Sequence, residues 1–246
     1  MVLSRTTEVA LSALLGAFRE TGLEDPHAVF GAGTVHVPPS LADQTDEEAR
    51  GELSRLGLLR RGRVSDELED ACHVLARADS EYVARVDNRG NQYSALVAQR
   101  GHAVVTAVCA GQRVWLKAEE KRRSPAAVLV ANLPTRRSAS LPTFSLPQHE
   151  FHGEDSDFPA DRSRAARTAD AMLRQPASGF GEITVGVGTG RRQRPADGVL
   201  TYRDLAEGRV AFEVSGPASN RYITVMPGDN YLLARKVAAL RESIDG

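Results

Sequence analysis

Residues 81–97 read Glu81-Tyr82-Val83-Ala84-Arg85-Val86-Asp87-Asn88-Arg89-Gly90-Asn91-Gln92-Tyr93-Ser94-Ala95-Leu96-Val97. Tyr82, Ala84 and Val86 alternate, Asp87 to Asn91 supply a turn around Gly90, and Tyr93, Ala95 and Val97 resume the alternation. A period of two on both sides of a Gly-centred turn is the pattern of a β-hairpin. Arg100-Gly101 next turns the chain into Ala103–Cys109, which is apolar on both faces and is expected to be a central, doubly covered strand. Gly111 turns it again into Val114-Trp115-Leu116. Short strands joined in sequence by tight turns predict an antiparallel meander.

Helices are expected on either side. Upstream, Ser65 caps a helix whose apolar positions are Leu68, Cys72 and Leu75. Before it, Thr45-Asp46-Glu47-Glu48 reads as the start of another helix, with Thr45 and Glu48 as a capping box, a stripe of Ala49, Leu53 and Leu56, and Gly57 at its end. A first helix carries Leu11, Leu14, Leu15 and Phe18 on one face and stops at Gly22. Val29–Val37, ahead of Pro38 and Pro39, is a strand candidate. Downstream, Ser124-Pro125 opens a helix to about Asn132. The stretch Pro134–Pro159, with Ser, acidic residues and repeated Pro, reads as a long connection.

Beyond it the plan recurs. Ala165, Ala169, Met172 and Leu173 mark a helix, followed by strands at Ile183–Val187, Val199–Tyr202, Val210–Val214 and Tyr222–Met226, and a closing helix with Leu233, Val237 and Leu240 inward. Each half runs helix, four-stranded meander, helix, over about 66–132 and 163–242, without residue identity between them. The expected fold class is α+β: antiparallel β-meanders packed with helices in two pseudo-repeated halves. The halves are placed at 1–133 and 161–246, with a Pro-rich connection at 134–160, forming one compact structural unit.

Composition narrows the function classes. The 246 residues are 41% hydrophobic and 26% charged, with 31 Lys plus Arg against 32 Asp plus Glu. A balanced chain exerts no long-range pull on nucleic acid or an anionic membrane, so any charged partner must meet a local patch. Cys72 and Cys109 read as reduced core residues. No signal peptide and no run of about 18 apolar residues is visible, so a cytoplasmic protein without a membrane span is expected.

Local chemistry is sparse. His149-Glu150-Phe151-His152-Gly153-Glu154-Asp155-Ser156-Asp157 has metal-ligand residue types, but nothing in the pattern aligns them, and a solvated acidic loop is the better reading. Gly186, Gly188 and Gly190 lack the Lys and the following helix of a phosphate-binding loop. Arg191, Arg192 and Arg194 form a basic turn without interleaved aromatics; a nucleic-acid-binding protein using it is one alternative. A hydrolase with dispersed carboxylates is another, since such pairs leave no local pattern. No catalytic residue, metal or cofactor is assigned.

The ending carries the recognisable feature. Gly208-Arg209-Val210-Ala211-Phe212-Glu213-Val214 precedes Asn220-Arg221-Tyr222-Ile223-Thr224-Val225-Met226-Pro227-Gly228-Asp229 and an amphipathic helix. This resembles the end of the EspG family, which closes with a Gly-Arg strand, a strand ending Thr-Val-x-Pro-x-Asp, and a helix. Leu3-Ser4 before the first helix, Glu52-Leu53-Ser54-Arg55-Leu56-Gly57-Leu58-Leu59, and Phe180-Gly181 at the second meander agree in order. Two features depart: Arg221-Tyr222-Ile223 stands where the family often has a Trp, and Pro134–Pro159 is poorly matched.

The resemblance implies a cytosolic chaperone of type VII (ESX) secretion, not an enzyme. Proteins of this kind bind the apolar helical tip of the PPE subunit in PE–PPE heterodimers, keep the client soluble and direct it to its secretion system. Family members use a hairpin loop and the C-terminal helical region. That implies contacts at Asn88, Arg89 and Asn91 and at Tyr231 and Arg235. The alternative for the hairpin residues is ordinary turn chemistry, and for Tyr231 a place in the core.

Overall fold

In the computed structural model, which describes residues 3–23, 26–33, 39–120, 122–152, 163–188, 193–217 and 219–245, Arg89 and Gly90 both adopt positive φ, 56° and 82°. Two such residues in succession give a turn whose twist matches that of paired strands. Asp87 Oδ1 accepts the Gly90 N–H at 2.9 Å and fixes the turn. The alternation at 81–97 is therefore a hairpin with Arg89-Gly90 at its tip.

The chain divides into two units. The first comprises Met1–Val83, Tyr93–Asn132 and Gly186–Arg194. It contains β1 (Thr7–Ala10), α1 (Leu11–Glu20), a 3-10 turn (Ala28–Gly33), α2 (Pro39–Arg55), the ribbon β2 (Leu59–Arg60) and β3 (Arg63–Val64), and α3 (Asp66–Ala76). The meander β4 (Ser80–Asn88), β5 (Asn91–Arg100), β6 (Ala103–Ala110) and β7 (Arg113–Ala118) follows, then α4 (Pro125–Ala131). The tip of the first hairpin, Ala84–Gln92, belongs to the second unit.

Strand order is β1-β7-β6-β5-β4, so β6 is interior as its doubly apolar sequence requires. One sheet face presents Val9, Leu96, Ala98, Val105, Ala107, Val114 and Leu116 to α1 and α3, which bury Leu11, Leu14, Phe18, Leu68, Cys72 and Leu75 there. The caps match their sequence signals. Ser65 Oγ accepts from Leu68 N, and Gly22, at φ 72°, ends α1 with Leu23 N donating to Phe18 O at 2.8 Å. Cys72 and Cys109 are free and buried; burial, aided by Glu69, pushes the Cys72 thiol up to about 12.

Three expectations need correction here. α2 starts at Pro39, so Thr45 is inside the helix and forms no capping box; Pro is well suited to a first helical turn, where its missing N–H costs nothing. The strand candidate Val29–Val37 begins as the 3-10 turn, because His27 captures the local N–H groups: Val29 N donates to its Nδ1 at 3.1 Å and Phe30 N to its carbonyl at 3.0 Å. Residues 34–38 lie outside the described residues. β1 was not expected, since four residues running straight into a helix are too few to show a period. It pairs antiparallel with β7, Val9 opposite Val114.

The second unit comprises Ala84–Gln92, Leu133–Val185 and Pro195–Gly246. It contains β8 (Phe144–Pro147), α5 (Gln148–His152), α6 (Arg164–Arg174), β9 (Gly179–Val187), the two-residue β10 (Arg194–Pro195) along β9, β11 (Val199–Leu205), β12 (Gly208–Ser215), β13 (Tyr222–Pro227) and α7 (Asn230–Glu242). The stretch read as a long connection thus holds a strand and a short helix. β8 pairs antiparallel with β13, Leu146 opposite Ile223.

Outward from β9 the order is β9-β11-β12-β13-β8. Alternation puts Val210, Phe212, Ile223, Val225 and Leu146 on one face, where they pack with Ala166, Ala169, Met172, Leu173 and Phe151 of α6 and α5. Ser163 caps α6 by accepting from Ala166 N. Asp229 caps α7 by accepting from Leu232 N at 2.8 Å. α7 covers the opposite face: its Leu233, Val237 and Leu240 are buried, and Lys236 Nζ meets Glu213 Oε2 at 2.6 Å.

The repeat of element order goes further than the sequence reading. In each unit a short strand from before the meander, β1 or β8, adds antiparallel to the meander's last strand, β7 or β13. Each then leads directly into a helix.

Candidate functional site

The hairpin tip is held at its base. Arg89 N donates to Ser178 O at 2.9 Å, and Gln92 Nε2 donates to Asp87 Oδ2 at 3.2 Å. A Cβ at Gly179 would come within 2.9 Å of Asp87 O, so glycine there lets β9 approach the turn closely. Arg89, Gly90, Asn91 and Gln92 are exposed. Asn88 is half-buried, and its Oδ1 is buried without a hydrogen-bond partner among the described residues.

The same anchoring brings Phe180 to the hairpin. Phe180 pairs with Arg203, and Arg203 with Val210, so Phe180 shares the face of Val210 and Phe212. Those two are covered by α5 and α6, whereas Phe180 is 55% exposed. Arg85 Nη1 and Glu182 Oε1 form a half-exposed pair at 3.5 Å on that face, and Arg203 Nη2 donates to Gln175 O at 3.1 Å. The sequence reading used Phe180 only as a family cue. Its signal was phase: Ile183 and Val185 are buried, and Phe180 falls on the opposite alternation, where an aromatic is unexpected unless that face is also used.

Tyr231 lies in the first turn of α7 and is 73% exposed, so it is not a core residue. Burial follows Leu233, Val237 and Leu240, and Tyr231 is out of phase with them. The Arg235 guanidinium lies 5.8 Å from the Tyr231 ring centroid, one helical turn on. α7 occupies the sheet face opposite Phe180. Register nevertheless places both at one end of the strands: Gly179 pairs with Asp204, Asp204 with Arg209, and Val210 with Pro227, just before α7.

Between them is a buried cluster. Arg209, fully buried, donates from Nε to Asp204 Oδ1 at 2.7 Å and from Nη2 to Asp204 Oδ2 at 3.0 Å and to Pro134 O at 2.9 Å. Its guanidinium stacks 4.1 Å from the Tyr202 ring centroid, and Arg136 adds a 3.5 Å contact to Asp204. The space is left by glycine: a Cβ at Gly181 would enter the Tyr202 ring, and one at Gly228 would enter the Arg209 side chain. Arg209 also fastens the 134–139 segment, through Arg209 N to Arg137 O at 2.8 Å and Ala139 N to Arg209 O at 3.0 Å. The Gly-Arg and Pro-Gly elements of the chain's ending are therefore structural.

Arg194 is exposed on β10, while Gly190, Arg191 and Arg192 lie outside the described residues. Gly186 is in β9 and Gly188 follows it. His149 and Glu150 are on α5; the His152 side chain and Gly153–Asp157 are outside the described residues. Among the described residues no group of three His, Cys, Asp or Glu is arranged to hold a metal, and no helix is long and apolar enough to cross a membrane.

The model of the EspG family matches residues 10–239. A solved structure of the Mycobacterium tuberculosis type VII secretion system chaperone EspG5, in complex with the PE25–PPE41 dimer, superposes with a TM-score of 0.70 at 15% identity, covering 97% of this chain and 96% of that one. At that identity the likeness establishes the fold. No curated protein sequence matches.

Proposed function

The chain belongs to the EspG family, and on that premise we propose that it is a cytoplasmic, non-enzymatic chaperone of type VII secretion that binds the PPE subunit of PE–PPE heterodimers. The carrying observation is the match along residues 10–239, joined to a fold shared end to end with a chaperone solved in complex with a PE–PPE dimer.

The contact surface we assign is one end of the second unit's sheet. It consists of the hairpin Asn88, Arg89 and Asn91 with Phe180 beside it, and Tyr231 with Arg235 on α7. From β4 to β13 is four strand spacings of about 4.8 Å, or roughly 19 Å. Two packed helices, each about 10 Å across, have a tip of similar width. A helical hairpin set on this end would meet an aromatic anchor and an arginine at each side, the residue types that dominate interface energetics. The exposed Arg85–Glu182 pair supplies a polar rim.

Co-expression with a PE–PPE pair encoded in the same genome, followed by size-exclusion chromatography, tests this. A one-to-one-to-one complex that is lost on Phe180→Ser combined with Arg89→Ala supports the assignment. Failure to co-elute with any PE–PPE pair of that genome rejects the function. A complex indifferent to both substitutions and to Tyr231→Ala rejects the surface alone.

A further inference from the structure

A cavity in the first unit, on the sheet face away from α1 and α3, has a composition the chaperone reading does not use. It measures about 370 Å³ and is lined by Thr6, Thr106, Val108, Trp115, Lys117, Glu119, Arg123, Val128, Ala131 and Asn132. That volume lies within the range of small-ligand sites. Its apolar wall comes from β6, β7 and α4, while Glu119 and Arg123 of its charged side belong to the connection between β7 and α4.

The cavity has an apolar side and a charged side. Trp115, Val108, Val128 and Ala131 make the apolar wall. On the charged side, the Glu119 side chain is only 4% exposed and binds Lys117 Nζ at 2.9 Å and Arg123 Nη1 at 3.3 Å. Thr106 Oγ1 donates to its other oxygen at 3.1 Å. Two cations against one carboxylate leave a net positive charge. Lys has three N–H donors and Arg five, and among the described residues each gives one to Glu119. Glu119 thus holds the two cations in place while most of their donors remain available at the cavity.

We propose that this cavity binds a small amphipathic carboxylate, its apolar body against Trp115 and Val128 and its carboxylate on Lys117 and Arg123. A fixed pair of cations above an apolar wall complements a molecule with one anionic end, whereas a neutral or cationic molecule would leave those donors unpaired. The carboxylate could be carried by a free acid or by the C-terminal residue of a short peptide, and both present the same chemistry.

Trp115 is the only tryptophan of the chain, so its fluorescence reads the cavity directly. The purified full chain is titrated with octanoate and with the tetrapeptide Ala-Ala-Val-Leu, each beside its neutral partner, octanamide or the C-terminally amidated peptide. The expected result is a saturable change in Trp115 emission with at least one acid, at least tenfold weaker with its amide, and at least tenfold weaker for that acid with Arg123→Ala. Octanoate alone responding identifies a free acid, and the peptide acid alone a chain terminus. Equal responses to acid and amide, no saturation with either acid up to 10 mM (about the millimolar affinity regime), or an unchanged response in a folded Arg123→Ala variant would overturn the proposal.

Discussion

The second unit contains two Arg–Tyr contacts that use the same chemistry for opposite ends. Arg209 stacks 4.1 Å from the Tyr202 ring with the guanidinium fully buried and clamped by Asp204. Arg235 sits 5.8 Å from Tyr231, and that Tyr is 73% exposed. Removed from water, the first pair depends on the Asp204 carboxylate that takes Nε and Nη2, because an unpaired buried charge is costly. Left in water, the second contributes little to stability and keeps an aromatic face and a cation free for a partner. Residue type is shared; desolvation decides which contact holds the fold and which can hold something else.

The comparison can be broken most decisively at its buried member. Arg209→Ala strands Asp204 and removes the side-chain bond to Pro134 O, leaving the main-chain bonds of residue 209 to Arg137 and Ala139 in place, and we expect a loss of about 3–5 kcal/mol in urea unfolding. A loss below about 1 kcal/mol would mean that the burial argument fails. Gly228→Ala tests the same cluster by crowding, since its Cβ would enter the Arg209 side chain; about 1–3 kcal/mol is expected, with a lowered melting temperature as the readout.

At the exposed member the readout changes from stability to binding. Tyr231→Ala should leave unfolding within about 0.5 kcal/mol of the parent while weakening PE–PPE binding about tenfold, or 1.4 kcal/mol, in a calorimetric titration. Arg235→Ala is the smallest change expected: an exposed cation–π contact of about 0.5–1 kcal/mol, seen as a few-fold rise in Kd with unfolding unaltered. A Tyr231→Ala variant that loses stability and retains affinity would reverse the roles assigned to the two contacts.

Both meanders, their turns and their flanking helices were legible because each signal was local and repeated: alternation over several residues, Gly at turns, Ser65 at a cap. β1 and β8 were not. Each is four residues long and is a strand only because a partner edge, β7 or β13, supplies its hydrogen bonds. The start of α2 was misplaced because Thr45-Asp46-Glu47-Glu48 satisfies a capping pattern that the chain, already helical from Pro39, does not use. The candidate surface was half legible: the hairpin residues came from turn chemistry and resemblance, while Phe180 required register. Tyr231 could not be placed by spacing alone, being next to the buried stripe in sequence and outside it in space.

The ending from Gly208 to Leu240 divides the same way. By itself the sequence determined the family, the strand and helix order, and which face of α7 packs, since those follow from residue order and period. Only the tertiary structure decided that Arg209 is a buried clamp and that Phe180 lies beside the Arg89 hairpin. It likewise decided that Tyr231 and Arg235 face solvent. Burial is a property of the neighbours a residue acquires, and those neighbours come from strands far away in the chain.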